Sequence, residues 1–225
     1  MRELPILFKG EMVRAIMAGQ KTQTRRVMKP LLRVPSDGSW WDAIRYFSCV
    51  DRWCWSRPHP GGGFVRALKT SDYPYHKARY DVGDLLWVRE RQRVISIRKS
   101  NGETQIKVLY EADGTESDWL PYPARLKGIP RVGRCLAYGG YRESSFRRLE
   151  VTGVRCERVQ EISEEDALAE GCVPDPSKLL PQMPGPRYLF LHLWDSINAK
   201  RGYSWHDNPY VWVYAFKQQE EPPMP

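Results

Sequence analysis

Residues 12–26 read MVRAIMAGQKTQTRR, and this stretch joins an amphipathic helix to a cluster of cations and hydroxyls. An apolar stripe with helical period runs through its first half, formed by Met12, Val13, Ile16 and Met17. The stripe predicts a helix from Glu11 to Ala18, and Gly19 suits the left-handed position that ends a helix. We therefore expect Lys21 to Arg26 to leave the helix end as a turn.

Short apolar or alternating runs elsewhere in the chain predict strands. They are Ile6–Phe8, Asp84–Glu90, Arg93–Lys99, Gln105–Glu111, Arg148–Gln160 with an irregularity at Gly153, and Pro209–Phe216. Asn101-Gly102 is a strong two-residue hairpin signal. Two further helices are predicted, Ser163–Glu170 with Ser163 as its N-cap and Tyr188–Asn198 after Pro186. The pattern favours an α+β fold, built as a small barrel or curled sheet with helices at its ends.

Residues 31–80 are a different kind of sequence. They contain four tryptophans, the run Gly61-Gly62-Gly63 and several prolines, without sustained periodicity. We interpret them as a loop-rich insertion with short local elements, inside a single domain that spans residues 1–217. The polar, proline-rich residues 218–225 are predicted to be a disordered tail.

Composition limits the classes of protein to consider. The chain of 225 residues carries a net charge of +8, with seven Lys/Arg against two Asp/Glu in residues 1–30. This basic excess favours polyanionic or phosphate-bearing partners. We expect no membrane partner and a cytoplasmic location, because no apolar run is long enough to cross a bilayer and the apolar part of the N-terminus is too short for a signal peptide.

The cysteines and acidic residues give no metal-site pattern. Five scattered cysteines favour reduced thiols over a disulfide framework. Cys49, Cys54 and His59 lack the spacing of a zinc site. No compact carboxylate or histidine cluster is visible in the sequence, so we expect neither a metal nor another cofactor.

Two interpretations of residues 21–26 stay open. Cations are favourable near a helix C-terminus and threonines cap turns, which needs no ligand. Alternatively, the same residues form a pocket for an electron-rich, possibly phosphorylated ligand: Lys21, Thr22, Thr24, Arg25 and Arg26. A desolvated lysine there would have a lowered pKa and would act as a base or an oxyanion donor.

Glu170, Arg89 and Glu90 are further candidates. Glu170 ends a predicted helix, where the dipole disfavours an anion, so it is either a solvated surface residue or a buried acid–base group close to Lys21. Arg89 and Glu90 close an apolar strand, and they form either an edge ion pair or a wall of the same pocket. Tryptophans such as Trp87 are more often core residues than stacking platforms.

The segment Met12 to Arg26, MVRAIMAGQKTQTRR, resembles the signature of the ASCH family, whose domains adopt a PUA-like β-barrel. Three later segments resemble a longer subgroup, common in bacteriophage and prophage genomes: Gly83–Glu90, Ile162–Gly171 and Leu193–Asn198. Its final strand is similar to Asn208–Val213. The resemblance covers most of the chain except residues 31–80.

This resemblance implies a function. Characterised small members of the family are amidohydrolases that remove the acetyl group from N4-acetylcytidine with a lysine, a threonine and a glutamate. By motif position these residues fall on Lys21, Thr24 and Glu170. The expected ligand-binding residues are Thr22, Arg25, Arg26, Trp87, Arg89 and Glu90. The partner would be a modified nucleoside or single-stranded nucleic acid.

Two departures from the family pattern leave other functions open. Residues Ala137–Ser145 stand where relatives carry a Met-Pro-Arg-like segment, and the insertion at 31–80 is absent from the small amidohydrolases. Relatives of the barrel bind modified bases without chemistry, and other family members are ribonucleases. A non-catalytic binding module and a ribonuclease are therefore the alternatives to a hydrolase.

Overall fold

The computed structural model describes residues 1–28, 78–123, 130–136, 140–174 and 185–219, together with the backbone of three strands between residues 43 and 66. In chain order the strands are β1 (Glu3–Leu7), β2 (Gln23–Val27), β3 (Ala43–Phe47), β4 (Arg52–Pro58), β5 (Phe64–Arg66), β6 (Leu85–Arg89), β7 (Gln92–Ser100), β8 (Glu103–Tyr110), β9 (Leu120–Pro121), β10 (Arg148–Arg158) and β11 (Tyr210–Gln218). The α-helices are α1 (Gly10–Met17), α2 (Glu164–Ala169) and α3 (Pro186–Asn198). Short 3-10 helices span Arg142–Ser144, Val159–Glu161 and Ala199–Arg201.

The main sheet has five strands in the order β1-β6-β10-β11-β2. β1 and β6 are parallel, and the other neighbours are antiparallel. The chain is α+β, as predicted, but this hydrogen-bonded order does not close into a barrel within the described strands. The edge strands β1 and β2 are joined instead by a side chain, because Arg26 Nη2 donates to the carbonyl of Leu7 at 2.8 Å.

Residues 23–27 form an edge strand, so the predicted turn over Lys21 to Arg26 is wrong. Gly19 does end the helix with a φ of 69°. The chain then pairs at once with β11, with Thr24 opposite Tyr214 and Arg26 opposite Trp212. The pairing partner lies about 190 residues away along the chain, so no local pattern near Lys21 indicates it.

Several local predictions are confirmed. β7 and β8 form the predicted hairpin, and Asn101 and Gly102 both have the positive φ that a tight hairpin turn requires. The predicted irregularity in β10 is a shift of register between Val151 and Gly153. Ser163 caps α2 by accepting a hydrogen bond from the Asp166 backbone N–H at 3.1 Å.

Three buried clusters hold these elements together. One packs α1 against the main sheet through residues such as Val13, Ile16 and Tyr214. The second places α2 and α3 on the other side of β11, around Phe190 and Trp194. The third supports the β7–β8 hairpin. Strand β11 alternates between the first two clusters, so its neighbour β2 has one face toward each of them.

The predicted insertion contains an antiparallel sheet, β3-β4-β5, whose strands lie between residues 43 and 66. The candidate zinc residues Cys49 and His59 lie outside the described residues, as does the side chain of Cys54. The predicted tail begins later than expected, since β11 extends to Gln218, and residues 220–225 also lie outside the described part. In the described residues, no helix has the length and apolar character that a bilayer crossing requires.

Candidate functional site

Lys21 and Glu170 meet through their backbones and their side chains. An isolated antiparallel bridge pairs the two residues, and the N–H of Thr22 donates to the carbonyl of Ala169 at 2.8 Å. Lys21 Nζ lies 2.6 Å from Glu170 Oε2 and 2.9 Å from the Glu170 carbonyl oxygen. Both side chains are buried, at 1% and 4% exposure. The bridge therefore places a cation and a carboxylate in one buried contact, although 149 residues separate them.

Arg25 lies at the centre of the ion-pair network around this contact. Its guanidinium reaches Glu170 Oε1 at 3.1 Å, Glu157 Oε1 at 2.6 Å and Asp166 Oδ2 at 2.6 Å. Arg155 also contacts Glu157 and Asp166. The network thus contains three cations and three carboxylates, which is the balance that buried charge requires. We call these residues the balanced network: Lys21, Arg25, Arg155, Glu157, Asp166 and Glu170.

At two members of the balanced network, Arg25 and Asp166, electrostatics favours the charged forms. Burial opposes the charge of Arg25, but the carboxylates of Glu170 and Glu157 outweigh it and raise the pKa of the guanidinium. Burial likewise works against the carboxylate of Asp166, yet the hydrogen bond and charge of Arg25 hold its pKa below the usual range. Ion pairing therefore outweighs desolvation at both groups.

A cavity of about 490 Å³ opens where the edge strands β1 and β2 face each other. Both strands line it, through residues such as Leu7 and Thr24, and α3 contributes an apolar side through Leu193 and Ile197. Glu170 also lies on the wall. Lys21 is not one of the lining residues, so it lies behind Glu170. The open gap in the sheet is therefore the place where ligand space and the balanced network meet.

Thr24 has the geometry of a hydroxyl that is available to a ligand. It is 4% exposed, lines the cavity, and follows Lys21 by three residues at the start of β2. Its hydroxyl makes no hydrogen bond to another described residue, whereas buried hydroxyls usually have a partner. Thr24 and Glu170 thus present a hydroxyl and a carboxylate on the same wall.

The cavity wall is rich in arginine. Five arginines line it: Arg25, Arg26, Arg79, Arg89 and Arg201. Burial lowers the pKa of Arg26, and the charge of Arg79 acts in the same direction. Burial and the charge of Arg79 also lower the pKa of Arg89. These shifts indicate that Arg79 lies close enough to Arg26 and to Arg89 for its positive charge to repel each of them. We call Arg26, Arg79 and Arg89 the arginine cluster.

Aromatic side chains complete the wall and are fixed by hydrogen bonds. Tyr80 and Tyr214 meet edge to face with ring centroids 4.9 Å apart. The Tyr80 hydroxyl donates to the carbonyl of Pro5 at 2.7 Å, and the Tyr214 hydroxyl accepts from the backbone N–H of Arg79 at 3.1 Å. Burial raises the pKa of Tyr214 to about 12, so its hydroxyl stays protonated. Trp194 and Trp212 are buried core residues that also line the cavity.

The structure brings most, but not all, of the predicted site residues together. Lys21, Thr24 and Glu170 converge, and Arg25, Arg26 and Arg89 join them at the cavity. Three others lie elsewhere. Thr22 is exposed, Glu90 is buried against Arg147, and Trp87 is not on the cavity wall. The Gly140–Ser145 part of the departing segment lies outside the cavity wall too, and residues 137–139 lie outside the described part.

Sequence reasoning missed several residues of the site. Arg79 and Tyr80 are the last two residues of the irregular segment 31–80, and Glu157 belongs to a strand that is distant in sequence. Only Asp166 carried a signal, because three acidic residues in the first turn of α2 exceed what one capped helix needs. The described residues contain no group of three or more His, Cys, Asp or Glu that could hold a metal ion.

Comparison with known proteins found no matching family model, no similar curated protein and no similar solved structure.

Proposed function

We propose that the chain is a cytoplasmic hydrolase of ASCH type, with a PUA-like fold, that acts on a modified nucleobase or nucleoside. The concrete reaction is deacetylation of N4-acetylcytidine. The observation that carries the proposal is that Thr24 and Glu170 line one cavity while Lys21 contacts Glu170 from behind the wall, from positions up to 149 residues apart. A nucleophile, a proton-transfer group and a cation that orients it are the parts that amide hydrolysis needs.

The reaction would proceed in two halves. The hydroxyl of Thr24 adds to the acetyl carbonyl while the carboxylate of Glu170 takes its proton. When the C–N bond breaks, Glu170 returns that proton to the leaving amine. Water then hydrolyses the acetyl ester on Thr24 and releases acetate. In a variant of this scheme, Thr24 positions the attacking water instead of adding to the carbonyl.

Lys21 would act through Glu170. The ammonium group has three donors, of which the side-chain and backbone oxygens of Glu170 take two. Its place behind the carboxylate, off the cavity wall, favours a role in orienting Glu170 for proton transfer.

The cavity suits a planar base. Its volume of about 490 Å³ falls within the range of roughly 300–1,000 Å³ typical of small-molecule sites. Aromatic and apolar side chains from Tyr80, Tyr214, Trp212 and α3 surround the polar groups. Such a wall can hold a flat ring with a few polar substituents.

The decisive experiment removes the Thr24 hydroxyl and keeps its shape. Thr24→Val is expected to abolish release of cytidine from N4-acetylcytidine, measured by chromatography, with an unchanged thermal unfolding midpoint. Thr152→Val, the same substitution at an exposed position of β10, is the matched control and should retain full turnover. Equal turnover by the two variants would refute the proposed nucleophile or water-positioning role.

Lys21→Ala tests the role of the cation. Turnover should be lost, whereas the fold should survive because Arg25 still contacts Glu170. Circular dichroism and the unfolding midpoint check the fold. A folded Lys21→Ala variant with normal turnover would contradict the proposal.

The cavity is also compatible with a second function, a non-catalytic module that binds a modified base or a single strand. Its support is the excess of arginine on the wall beside aromatic side chains. Salt-dependent retention of an oligonucleotide, with unchanged nucleic acid afterwards and no turnover of N4-acetylcytidine, would favour this function. Shortened oligonucleotides would point instead to the ribonuclease alternative.

A further inference from the structure

The charges on the cavity wall do not balance. Among the described residues that line it, five are arginines and one, Glu170, is a carboxylate. Both oxygens of that carboxylate already contact cations, with Lys21 on Oε2 and Arg25 on Oε1. Glu157 and Asp166 also neutralise Arg25 from behind the wall, so the positive charge that a bound anion would neutralise lies at Arg26 and Arg79.

Arg26 and Arg79 keep donors for such an anion. Within the described part of the chain, neither forms an ion pair with a carboxylate. Arg26 donates once, to the Leu7 carbonyl, and its guanidinium lies 5.4 Å from the ring centroid of Phe8. The exposed Arg79 lies 5.5 Å from the ring centroid of Tyr80. A guanidinium has five N–H donors, so most of them stay available.

Arg89 adds a third guanidinium to the same wall. Burial lowers the pKa values of Arg26 and Arg89, and the positive charge of Arg79 on the same wall adds to this at both residues. Arginine nevertheless stays protonated in proteins, so the repulsion from Arg79 persists in the absence of a ligand. An anion beside Arg79 would offset this repulsion.

We propose that the arginine cluster binds the phosphate group of the ligand, so that the natural ligand is a phosphorylated nucleoside of mononucleotide size. The planar donor fork of arginine matches a phosphate group with two parallel hydrogen bonds. The phosphate site follows from the charges on the wall, while its assignment to a nucleoside phosphate rests on the proposed function. On this proposal the substrate is a nucleotide and not a free nucleoside.

The size of the cavity selects a mononucleotide over a longer strand. Its volume of about 490 Å³ accommodates one base with its sugar and phosphate. The phosphate would lie on the arginine cluster and the base would extend toward Thr24 and Glu170. On this proposal Thr24 and Glu170 form the reacting part of the cavity, and the arginine cluster forms its anchoring part.

Calorimetric titration with cytidine 5′-monophosphate, cytidine and inorganic phosphate tests the anchoring part. At low salt the monophosphate should bind at least about tenfold more tightly than cytidine, as expected for a charge-assisted contact. Arg79→Gln should weaken binding of the monophosphate by about tenfold and leave cytidine within a factor of about two. Arg134→Gln is the matched control, because it removes an exposed arginine off the cavity wall, and it should change neither affinity.

Four results would overturn the proposal. They are equal affinities for cytidine and its monophosphate, equal effects of Arg79→Gln and Arg134→Gln, no detectable binding of either the monophosphate or inorganic phosphate, and tighter binding of a cytidine hexanucleotide that lacks a terminal phosphate. Arg79 is exposed, so its variant should fold, and its unfolding midpoint verifies this.

Hydrolysis assays separate this inference from the proposed function. The substrates are N4-acetylcytidine and its 5′-monophosphate. We expect a higher kcat/KM for the monophosphate, and we expect Arg79→Gln to abolish this difference between the two substrates. Equal hydrolysis of both substrates, unaffected by Arg79→Gln, would overturn the phosphate site and leave the hydrolase intact. Binding of the monophosphate that depends on Arg79, without hydrolysis of either substrate, would support the phosphate site and contradict the hydrolase.

Discussion

Arg25 and Arg26 are neighbours in one edge strand, yet their surroundings are opposite. Arg25 lies toward α3 and contacts three carboxylates of the balanced network. Arg26 lies toward Phe8, and within the described residues it forms no ion pair with a carboxylate. Accordingly the pKa of Arg25 is raised, whereas burial lowers that of Arg26. Identical side chains one residue apart therefore have different physical roles.

The difference shows how a basic motif can be divided between fold and ligand. Carboxylates within the chain neutralise Arg25, so this residue contributes to the folded state. Within the described residues Arg26 and Arg79 form no ion pair with a carboxylate, so their favourable charge interactions would come from a bound anion. In the sequence, Arg25 and the arginine cluster are simply basic residues. Only the positions of their interaction partners in the structure distinguish their roles.

The largest expected effect compares Arg25→Gln with Arg26→Gln. Arg25→Gln leaves three partly or fully buried carboxylates without a shared cation, and it should lower the free energy of unfolding by about 3–5 kcal/mol. Arg26→Gln removes a desolvated cation and one hydrogen bond to a carbonyl, so the loss should be at most about 1.5 kcal/mol. Urea unfolding at neutral pH measures both values.

The two arginine variants should also differ in how strongly cytidine 5′-monophosphate stabilises them. Only Arg26→Gln should reduce the stabilisation that cytidine 5′-monophosphate gives the protein. Equal losses of unfolding free energy in the two variants would show that the neighbours share one role and would remove the basis of the comparison.

Much of the fold could be predicted because its signals are local. The stripe in α1, the cap at Ser163, the hairpin at Asn101 and the irregularity at Gly153 each depend on residues within a few positions. The edge strand β2 could not be predicted, because its conformation depends on pairing with β11. The absence of a closed barrel within the described strands depends likewise on where β1 and β2 end relative to each other.

The candidate site was predictable only in part, for the same reason. The motif positions indicated Lys21, Thr24 and Glu170, and the structure brings them together. Arg79 and Tyr80 close the segment 31–80, which has no periodicity, so nothing local marks them as residues of the cavity wall. Glu90 was expected at the site, but the buried guanidinium of Arg147 pairs with it instead.

Gly171 offers a way to disturb the balanced network without touching a charge. Its φ is +86°, and a Cβ there would lie 3.1 Å from Ala15 Cβ and 3.3 Å from Lys21 Cβ. Gly171→Ala should cost more than the roughly 1–2 kcal/mol of a left-handed alanine, because Lys21 must also move. Gly114→Ala, with a φ of +78° and nothing within 4 Å of its Cβ, is the matched control for the backbone effect alone.

Turnover and phosphate affinity, measured on the Gly171→Ala variant, should distinguish the balanced network from the arginine cluster. Displacement of Lys21 by Gly171→Ala should reduce turnover but leave the affinity for inorganic phosphate unchanged, since the arginine cluster lies elsewhere on the wall. A parallel loss of both would indicate that the balanced network and the arginine cluster are one cooperative unit.

A smaller effect is expected at the cap of α2, the helix that carries Asp166 and leads into Glu170. Ser163→Ala removes the acceptor for the Asp166 N–H and should cost about 1 kcal/mol in unfolding free energy. Ser163→Asn restores an N-cap acceptor and should recover most of that loss. If the asparagine variant is as unstable as the alanine variant, the cap contributes nothing to the balanced network.

The smallest effect is a pH dependence at Asp166, which reports on the balanced network alone. Its pKa is lowered in the folded state, chiefly by Arg25 acting against burial. A carboxyl group of this kind stabilises the fold above its unfolded pKa of about 3.9 and loses that contribution as pH falls through the folded value. Wild type should therefore have a higher unfolding free energy than Asp166→Asn at neutral pH. This gap between the two unfolding free energies should shrink below about pH 4. Because Arg79 forms no ion pair with a carboxylate of the described residues, Arg79→Gln should not reproduce this shrinking gap. A gap between wild type and Asp166→Asn that stays constant from neutral to acidic pH would mean that Arg25 does not stabilise the Asp166 carboxylate, and the contrast between Arg25 and Arg26 would then rest on geometry alone.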